Sequence, residues 1–91
     1  MSQTAKHIFF TGRVQGVGFR FTALRIANRC KLTGLVRNAP NGIVEMIAQG
    51  TAEDIDNCIR QIQDSFEGYL TETKIEEIPF DPKYDDFKIT F

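Results

Sequence analysis

The 91-residue chain has no tryptophan, a single histidine and only two cysteines. Two thiols and one histidine at unrelated spacing cannot complete the ligand set of a structural zinc site. Cys30 and Cys58 each lie among apolar residues at helical spacing, so we expect two buried free thiols rather than a disulfide. His7 lies on an alternating strand, outside the motifs described below, and we expect no catalytic role for it.

No apolar run approaches the roughly 20 residues that a membrane-spanning helix needs. The polar start MSQTAKH also lacks the apolar segment of a signal peptide. We therefore expect no membrane contact and a cytoplasmic location. With 42% hydrophobic and 25% charged residues, the composition is that of an ordinary globular protein. Residues 1–91 are expected to form a single domain with one modest core.

Negative charge is absent from the first half of the chain. The first acidic residue is Glu45, and seven basic residues precede it: Lys6, Arg13, Arg20, Arg25, Arg29, Lys31 and Arg37. Residues 45–91 carry four basic and twelve acidic residues, a net charge of −8 against +7 for residues 1–44. The first half therefore suits an anionic ligand, either a small phosphorylated molecule or a nucleic acid. A pI of about 5.7 weakens the nucleic-acid alternative.

Glycine and arginine are concentrated in the segment TGRVQGVGFR at residues 11–20, which we call the cradle loop. Glycines at positions 12, 16 and 18 allow the backbone to curl and to direct successive amide N–H groups at one point. If a helix begins near Phe19, the unpaired amides of its first turn face the same point. Arg20 adds a planar guanidinium that can hold two phosphate oxygens. The segment lacks the Gly-Lys-Ser/Thr of a nucleotide P-loop and the third glycine of a dinucleotide fingerprint.

The order of apolar patterns predicts an α+β fold. An alternating strand at residues 7–11 precedes a helix from Phe19 that ends before Gly34, and a hairpin at residues 34–49 turns at Pro40-Asn41-Gly42. A second helix follows Thr51 and runs to Gly68, an edge strand occupies residues 71–78, and Phe87, Ile89 and Phe91 form a short closing strand. This order predicts a ferredoxin-like βαββαβ two-layer sandwich, with an antiparallel sheet, both helices on one face and a short extra C-terminal strand.

Two motifs resemble those of the acylphosphatase family. The first family motif is a glycine followed by x-Val-Gln-Gly-Val-x-Phe-Arg, and GRVQGVGFR at residues 12–20 fits it throughout. The second runs from a glycine and an aromatic residue to Asn, then Gly-x-Val and a further glycine. Here it reads GLVRN at residues 34–38, GIV at residues 42–44 and Gly50, with Leu35 in place of the usual aromatic residue. Chain length and element order also match the family.

The resemblance implies hydrolysis of small acyl phosphates to carboxylate and inorganic phosphate. Arg20 and the loop amides would hold the phosphate, and Asn38 would orient the attacking water. The implied phosphate-binding residues are Gln15, Gly16, Val17, Gly18, Phe19 and Arg20. No metal or cofactor is implied, because the carboxylate is already a good leaving group and phosphoryl transfer depends mainly on positioning and charge. We expect the protein to act as a monomer, without nucleic acid.

The residues by themselves leave other interpretations open. The cradle loop could be a simple strand-to-helix turn, and Asn38 could merely end a strand. Arg13 and Arg37, which flank motif residues, are expected to contribute to the electrostatic field there rather than to make contacts. RNA binding is one alternative function, since RNA-recognition modules share this fold and stack bases on sheet aromatics, of which only Phe9 qualifies here. The other alternative is a non-catalytic module that binds acyl or carbamoyl phosphate. We expect the free-standing length of the chain to argue against it.

Overall fold

The computed structural model describes residues 2–91, and it confirms the predicted order of elements. The strands and helices are β1 (Thr4–Gly12), α1 (Phe19–Arg29), β2 (Thr33–Asn38), β3 (Val44–Gly50), α2 (Ala52–Ser65), β4 (Leu70–Ile78) and β5 (Phe87–Ile89). A single 3-10 turn at Pro40–Gly42 joins β2 to β3. No helix within residues 2–91 has the length and apolar character needed to cross a membrane.

The five strands form one sheet in the order β4-β1-β3-β2-β5. The four longer strands pair antiparallel, as predicted. The short β5 adds to β2 in parallel, so the sheet as a whole is mixed. It ends at Ile89, and the prediction that Phe91 belongs to the closing strand is wrong, because Phe91 lies beyond the ladder and is 97% exposed.

Both helices pack on one face of the sheet and form the core with it. Alternate residues of the central strands face the helices, among them Ile8 and Phe10 of β1 and Val44, Met46 and Ala48 of β3. An apolar stripe at helical spacing packs against them from α2 and the residue that follows it: Ile55, Ile59, Ile62 and Phe66. Cys30 and Cys58 are buried free thiols in this core, as expected. Burial raises the pKa of the Cys58 thiol to about 12, with the neighbouring Cys30 adding to the effect.

The ends of the two helices follow from local residues. The side chain of Thr51 accepts a hydrogen bond of 3.1 Å from the backbone N–H of Asp54, which caps the start of α2. The chain leaves α1 through Lys31, which has a left-handed φ of 61°. A lysine in this conformation gives no sequence pattern of the kind that glycine gives. The hairpin turn, in contrast, uses the expected left-handed residues, with φ of 67° at Asn41 and 76° at Gly42.

Candidate active site

The cradle loop connects β1, a central strand of the sheet, to α1. At its start the backbone N–H of Arg13 donates a 2.8 Å hydrogen bond to the carbonyl of Tyr69, which anchors the loop beside β4. Gly16 and Gly18 then take left-handed φ values of 80° and 77°, which a residue with a side chain adopts only at a cost. These two glycines produce the curl that the sequence predicts.

Helix α1 begins without a side-chain cap. Its N-cap residue is Gly18, no side chain accepts a hydrogen bond from the first turn, and that turn has no acidic residue. The first intrahelical bond runs from the N–H of Thr22 to the carbonyl of Gly18, at 3.1 Å. The amides of residues 19–21 therefore have no partner within the helix, and the positive end of the helix dipole is available to an anion.

The β2–β3 hairpin brings Asn38 to the cradle loop, and the side chain of Gln15 joins the two. Its Nε2 donates to the carbonyl of Ala39 and to the carbonyl of Ile43, each at 2.9 Å. These carbonyls lie on either side of the turn that follows Asn38. Since both donors of the carboxamide are used in this way, Gln15 fixes the position of the hairpin turn relative to the loop.

Side chains and backbone from both segments enclose a hollow of about 250 Å³, which we call the Arg20 hollow. It is lined by Val14, Gly16, Gly18, Phe19, Arg20, Phe21 and Asn38. Five of the residues predicted for the site thus meet at one place. Gln15 and Val17 do not line the hollow: Gln15 holds the hairpin, and the Val17 side chain is 42% exposed.

Val14 and Phe21 line the hollow, although we did not expect them there. Val14 is only 1% exposed, so its side chain supports the hollow from the core. Its place in the first motif is a sequence feature that could have suggested this. Phe21 is 68% exposed and directly follows Arg20. The sequence pattern that could have indicated Phe21 is an aromatic residue on the polar side of a predicted helix.

Arg20 forms no ion pair within residues 2–91. Its Cζ lies 5.1 Å from the centre of the Phe91 ring. Of the seven basic residues in the first half of the chain, only Lys6 and Arg37 pair with a described carboxylate. The positive charge that the sequence places there is therefore largely uncompensated, and Arg20 brings part of it into the hollow.

Arg37 is neutralised by a contact on the opposite face of the sheet. Its Nε donates a hydrogen bond of 2.5 Å to Oε1 of Glu45, and Nε2 of His7 lies 2.6 Å from Oε2 of the same carboxylate. Burial raises the pKa of Glu45, but the bonds from His7 and Arg37 outweigh it and bring the pKa below its ordinary value. The expectation that Arg37 supplies field rather than contacts is thus wrong, because its charge is paired with that of Glu45. His7 is engaged with Glu45 outside the Arg20 hollow.

Oδ1 of Asn38 has no hydrogen-bond partner in the protein although the atom is buried. It is the single such side-chain atom within residues 2–91. A buried acceptor without a donor costs about 1–3 kcal/mol, so folded proteins rarely keep one without a reason. The same residue lines the Arg20 hollow, where a donor could reach it after a rotation about the soft last torsion of the side chain.

A larger open groove of about 370 Å³ lies between the end of α2 and the edge strand β4. The charged residues that line it, Glu67 and Glu72, are both acidic, so it repels phosphate. Within residues 2–91, no three His, Cys, Asp or Glu side chains are grouped as metal ligands would be. The Arg20 hollow is therefore the better candidate for an anion.

Known proteins resemble the chain in both sequence and structure. A family model described as Acylphosphatase matches residues 6–89. The chain belongs to the acylphosphatase family. An acylphosphatase of Chlorobaculum tepidum is 41% identical over 90 residues, which cover 98% of each chain.

The similarity extends to solved structures. The crystal structure of the acylphosphatase from Bacillus subtilis has a TM-score of 0.89 at 29% identity, covering 97% of this chain and 99% of that one. Full-length HypF, crystallised in a phosphate- and nucleotide-bound form, contains a region with a TM-score of 0.90 at 33% identity. That region covers 99% of this chain and 12% of HypF, so the acylphosphatase fold also occurs as a small part of a larger protein.

The departure from the family motif at Leu35 lies outside the hollow. Leu35 pairs in register with Ile47 on the sheet face that points away from the helices. The sheet aromatic that suggested RNA binding, Phe9, is half-buried, and its ring packs 4.4 Å from that of His7. One ring that is already in contact with a neighbour is a poor platform for stacking bases, so the geometry does not favour RNA.

Proposed function

We propose that this acylphosphatase hydrolyses the carboxyl-phosphate anhydride of small acyl phosphates, giving a carboxylate and inorganic phosphate. The observation that carries the proposal is that one hollow is lined both by Arg20, whose guanidinium forms no ion pair within residues 2–91, and by Asn38, whose buried amide oxygen has no hydrogen-bond partner. The first group suits a phosphate and the second suits a water molecule. Hydrolysis needs both at the same phosphorus.

The phosphoryl group would bind at the start of α1. The free amides of residues 19–21, together with the curled backbone at residues 15–18, supply N–H donors, and Arg20 supplies a fixed positive charge. Gln15 and Val17 would contribute through their backbone, because the Gln15 side chain is occupied by the hairpin. Donors preorganised in this way stabilise the charge that spreads over the phosphoryl oxygens in the transition state.

Asn38 would orient the attacking water. Its amide oxygen accepts a hydrogen bond from water but cannot remove a proton, so a phosphoryl oxygen of the substrate is the proposed base. Water oxygen bonds to phosphorus while the bond from phosphorus to the acyl oxygen breaks. The bonding pair leaves with the carboxylate, and the products are the carboxylate and dihydrogen phosphate. A carboxylate needs no acid to assist its departure, which agrees with a lining in which Arg20 is the single ionisable side chain.

Two substitutions test these roles separately. Arg20→Gln is expected to lose phosphate binding and turnover together, with turnover falling by about 10³-fold or more. Asn38→Ala is expected to lose about 10²–10³-fold in kcat, the usual cost of a lost orienting group, while inorganic phosphate still binds. The measurements are steady-state hydrolysis of benzoyl phosphate, with and without a chelator, and inhibition by inorganic phosphate. Near-normal turnover by Asn38→Ala would show that the water is oriented by another group.

The HypF similarity supports one further candidate, a module that binds a phosphorylated ligand without hydrolysing it. This candidate predicts that wild-type protein binds inorganic phosphate but releases none from benzoyl phosphate. Hydrolysis that disappears in Arg20→Gln would exclude it. We favour hydrolysis because Asn38 adds a place for water that binding alone does not require.

A further inference from the structure

Phe21 is exposed to a degree that the core does not explain. Helix α1 packs through Phe19, Ala23, Ile26 and Ala27, all of which are buried. Phe21 lies away from this face and is 68% exposed. A large aromatic side chain in water is unfavourable, and its presence at a hollow is more informative than a scattered surface residue would be.

Other exposed apolar side chains gather at the same place. The large hydrophobic side chains that are exposed within residues 2–91 are Val17, Phe21, Tyr69, Ile75, Phe80 and Phe91. Three of these residues lie in β4 or within two residues of it: Tyr69, Ile75 and Phe80. Val17 belongs to the cradle loop, Phe21 lines the Arg20 hollow, and the Phe91 ring lies 5.1 Å from the Arg20 guanidinium carbon. Phe21 thus lines the hollow, and two further exposed apolar side chains, Val17 and Phe91, lie next to residues that line it.

We propose that Phe21 contacts the acyl group of the substrate and contributes to discrimination between flat aromatic and small aliphatic acyl phosphates. This inference rests on the proposed function. The acyl group is joined to phosphorus through one oxygen, so a phosphoryl group held by the amides of residues 19–21 keeps the acyl group beside the same helical turn. A benzoyl ring can pack against the Phe21 ring in an offset or edge-to-face arrangement, whereas an acetyl methyl group offers little surface.

The test is the ratio of kcat/KM for benzoyl phosphate to kcat/KM for acetyl phosphate. We expect Phe21→Ala to lower this ratio about tenfold, and Phe21→Leu, which keeps an apolar surface, to lower it by less. Phe80→Ala is the matched control, since Phe80 is an exposed aromatic residue, 43% accessible, outside the hollow. It is expected to leave the ratio unchanged. Inhibition by inorganic phosphate reports whether the first turn of α1 is still intact.

The outcomes separate the inference from the function it rests on. If wild-type protein hydrolyses both substrates and Phe21→Ala leaves the ratio unaltered, Phe21 does not contact the acyl group and only the inference fails. An equal loss for both substrates, with weaker phosphate inhibition, would assign Phe21 to the structure of the hollow and also overturns the inference. If the wild-type protein hydrolyses neither substrate, the proposed function itself fails.

Discussion

The two helices differ in what their first turns offer the free backbone N–H groups: α2 has a side-chain cap and acidic residues there, and α1 has neither. At the start of α2, the Thr51 side chain accepts from the N–H of Asp54, and Glu53 and Asp54 place negative charge in the first turn. At the start of α1, the N-cap is a left-handed glycine, no side chain accepts from the first turn, and the charged residue there is Arg20. The side-chain cap and the acidic residues stabilise the start of α2, and the start of α1 has neither.

Under the proposed function, this difference marks the place where the fold would give up stability in order to bind an anion. A helix start that carries its own cap and its own acidic residues has no use for an external anion. The start of α1 keeps its donors free and brings a positive charge towards the positive end of the helix dipole, which is favourable only with an anion present. Under the proposed function, the phosphate of the substrate would satisfy the free N–H groups of α1, as Thr51 does for α2.

Of the variants that test this comparison below, the one with the largest expected effect gives α1 an acidic residue of its own. Gly18→Asp would place a carboxylate at the Arg20 hollow, since nothing lies within 4 Å of a side-chain carbon added there. Two unit charges about 4 Å apart repel by about 4 kcal/mol at an effective dielectric constant of about 20. Solvent at the exposed Gly18 screens part of this repulsion, so we expect phosphate binding and kcat/KM for benzoyl phosphate to fall about 100-fold relative to Gly18→Asn, which corresponds to about 2.7 kcal/mol.

Gly18→Asn is the matched control for that comparison. Asparagine has the same shape as aspartate and shares its tolerance of the left-handed conformation, so strain at φ 77° affects both variants alike. Part of the loss in Gly18→Asp should be recovered at high salt, where the repulsion is screened. Equal activity in the two variants would mean that charge at this helix start does not govern the binding of phosphate.

A smaller effect is expected from removing the cap of α2. Thr51→Ala should lower the free energy of unfolding by about 1 kcal/mol, because the Asp54 N–H loses its acceptor. Thr51 does not line the Arg20 hollow, so hydrolysis of benzoyl phosphate should be unchanged. Urea denaturation measures the first quantity and steady-state kinetics the second. Thr51→Ser keeps the hydroxyl and should stay near wild type; a loss as large as that of Thr51→Ala would point to the methyl group instead.

The sequence predicts this contrast well where the determinants are local. Thr51 followed by Asp54 is a capping pattern, and Asn41-Gly42 is a turn pattern, and both act over a few residues. The glycines of the cradle loop and Arg20 are likewise close in sequence. For these reasons the elements, the sheet face that packs on the helices and five residues of the hollow could be predicted before the structure.

Contacts between distant residues were not predictable in the same way. The two hydrogen bonds from Gln15, to Ala39 and to Ile43, each span more than twenty positions in the chain. The motif that contains Gln15 gives no indication that this side chain holds a hairpin. Arg37 was expected to add field, but its pairing with Glu45 depends on the register of β2 against β3. The parallel addition of β5 depends on the path of residues 79–86. Pattern and propensity specify none of these.

The smallest expected effect concerns stability at the start of α1. Because Arg20 lies in a first turn without an acidic residue, Arg20→Gln is expected to raise the free energy of unfolding in phosphate-free buffer by about 0.3–1 kcal/mol. Glu53→Gln, which removes an acidic residue from the first turn of α2, should lower the free energy of unfolding.

With inorganic phosphate at ten times its dissociation constant, wild-type protein gains about 1.4 kcal/mol of stability and Arg20→Gln gains little, so the order of their stabilities reverses. Urea denaturation with and without phosphate measures this reversal. If Arg20→Gln is the less stable protein in both buffers, Arg20 stabilises α1 by itself and the contrast between the two helix starts does not extend to charge.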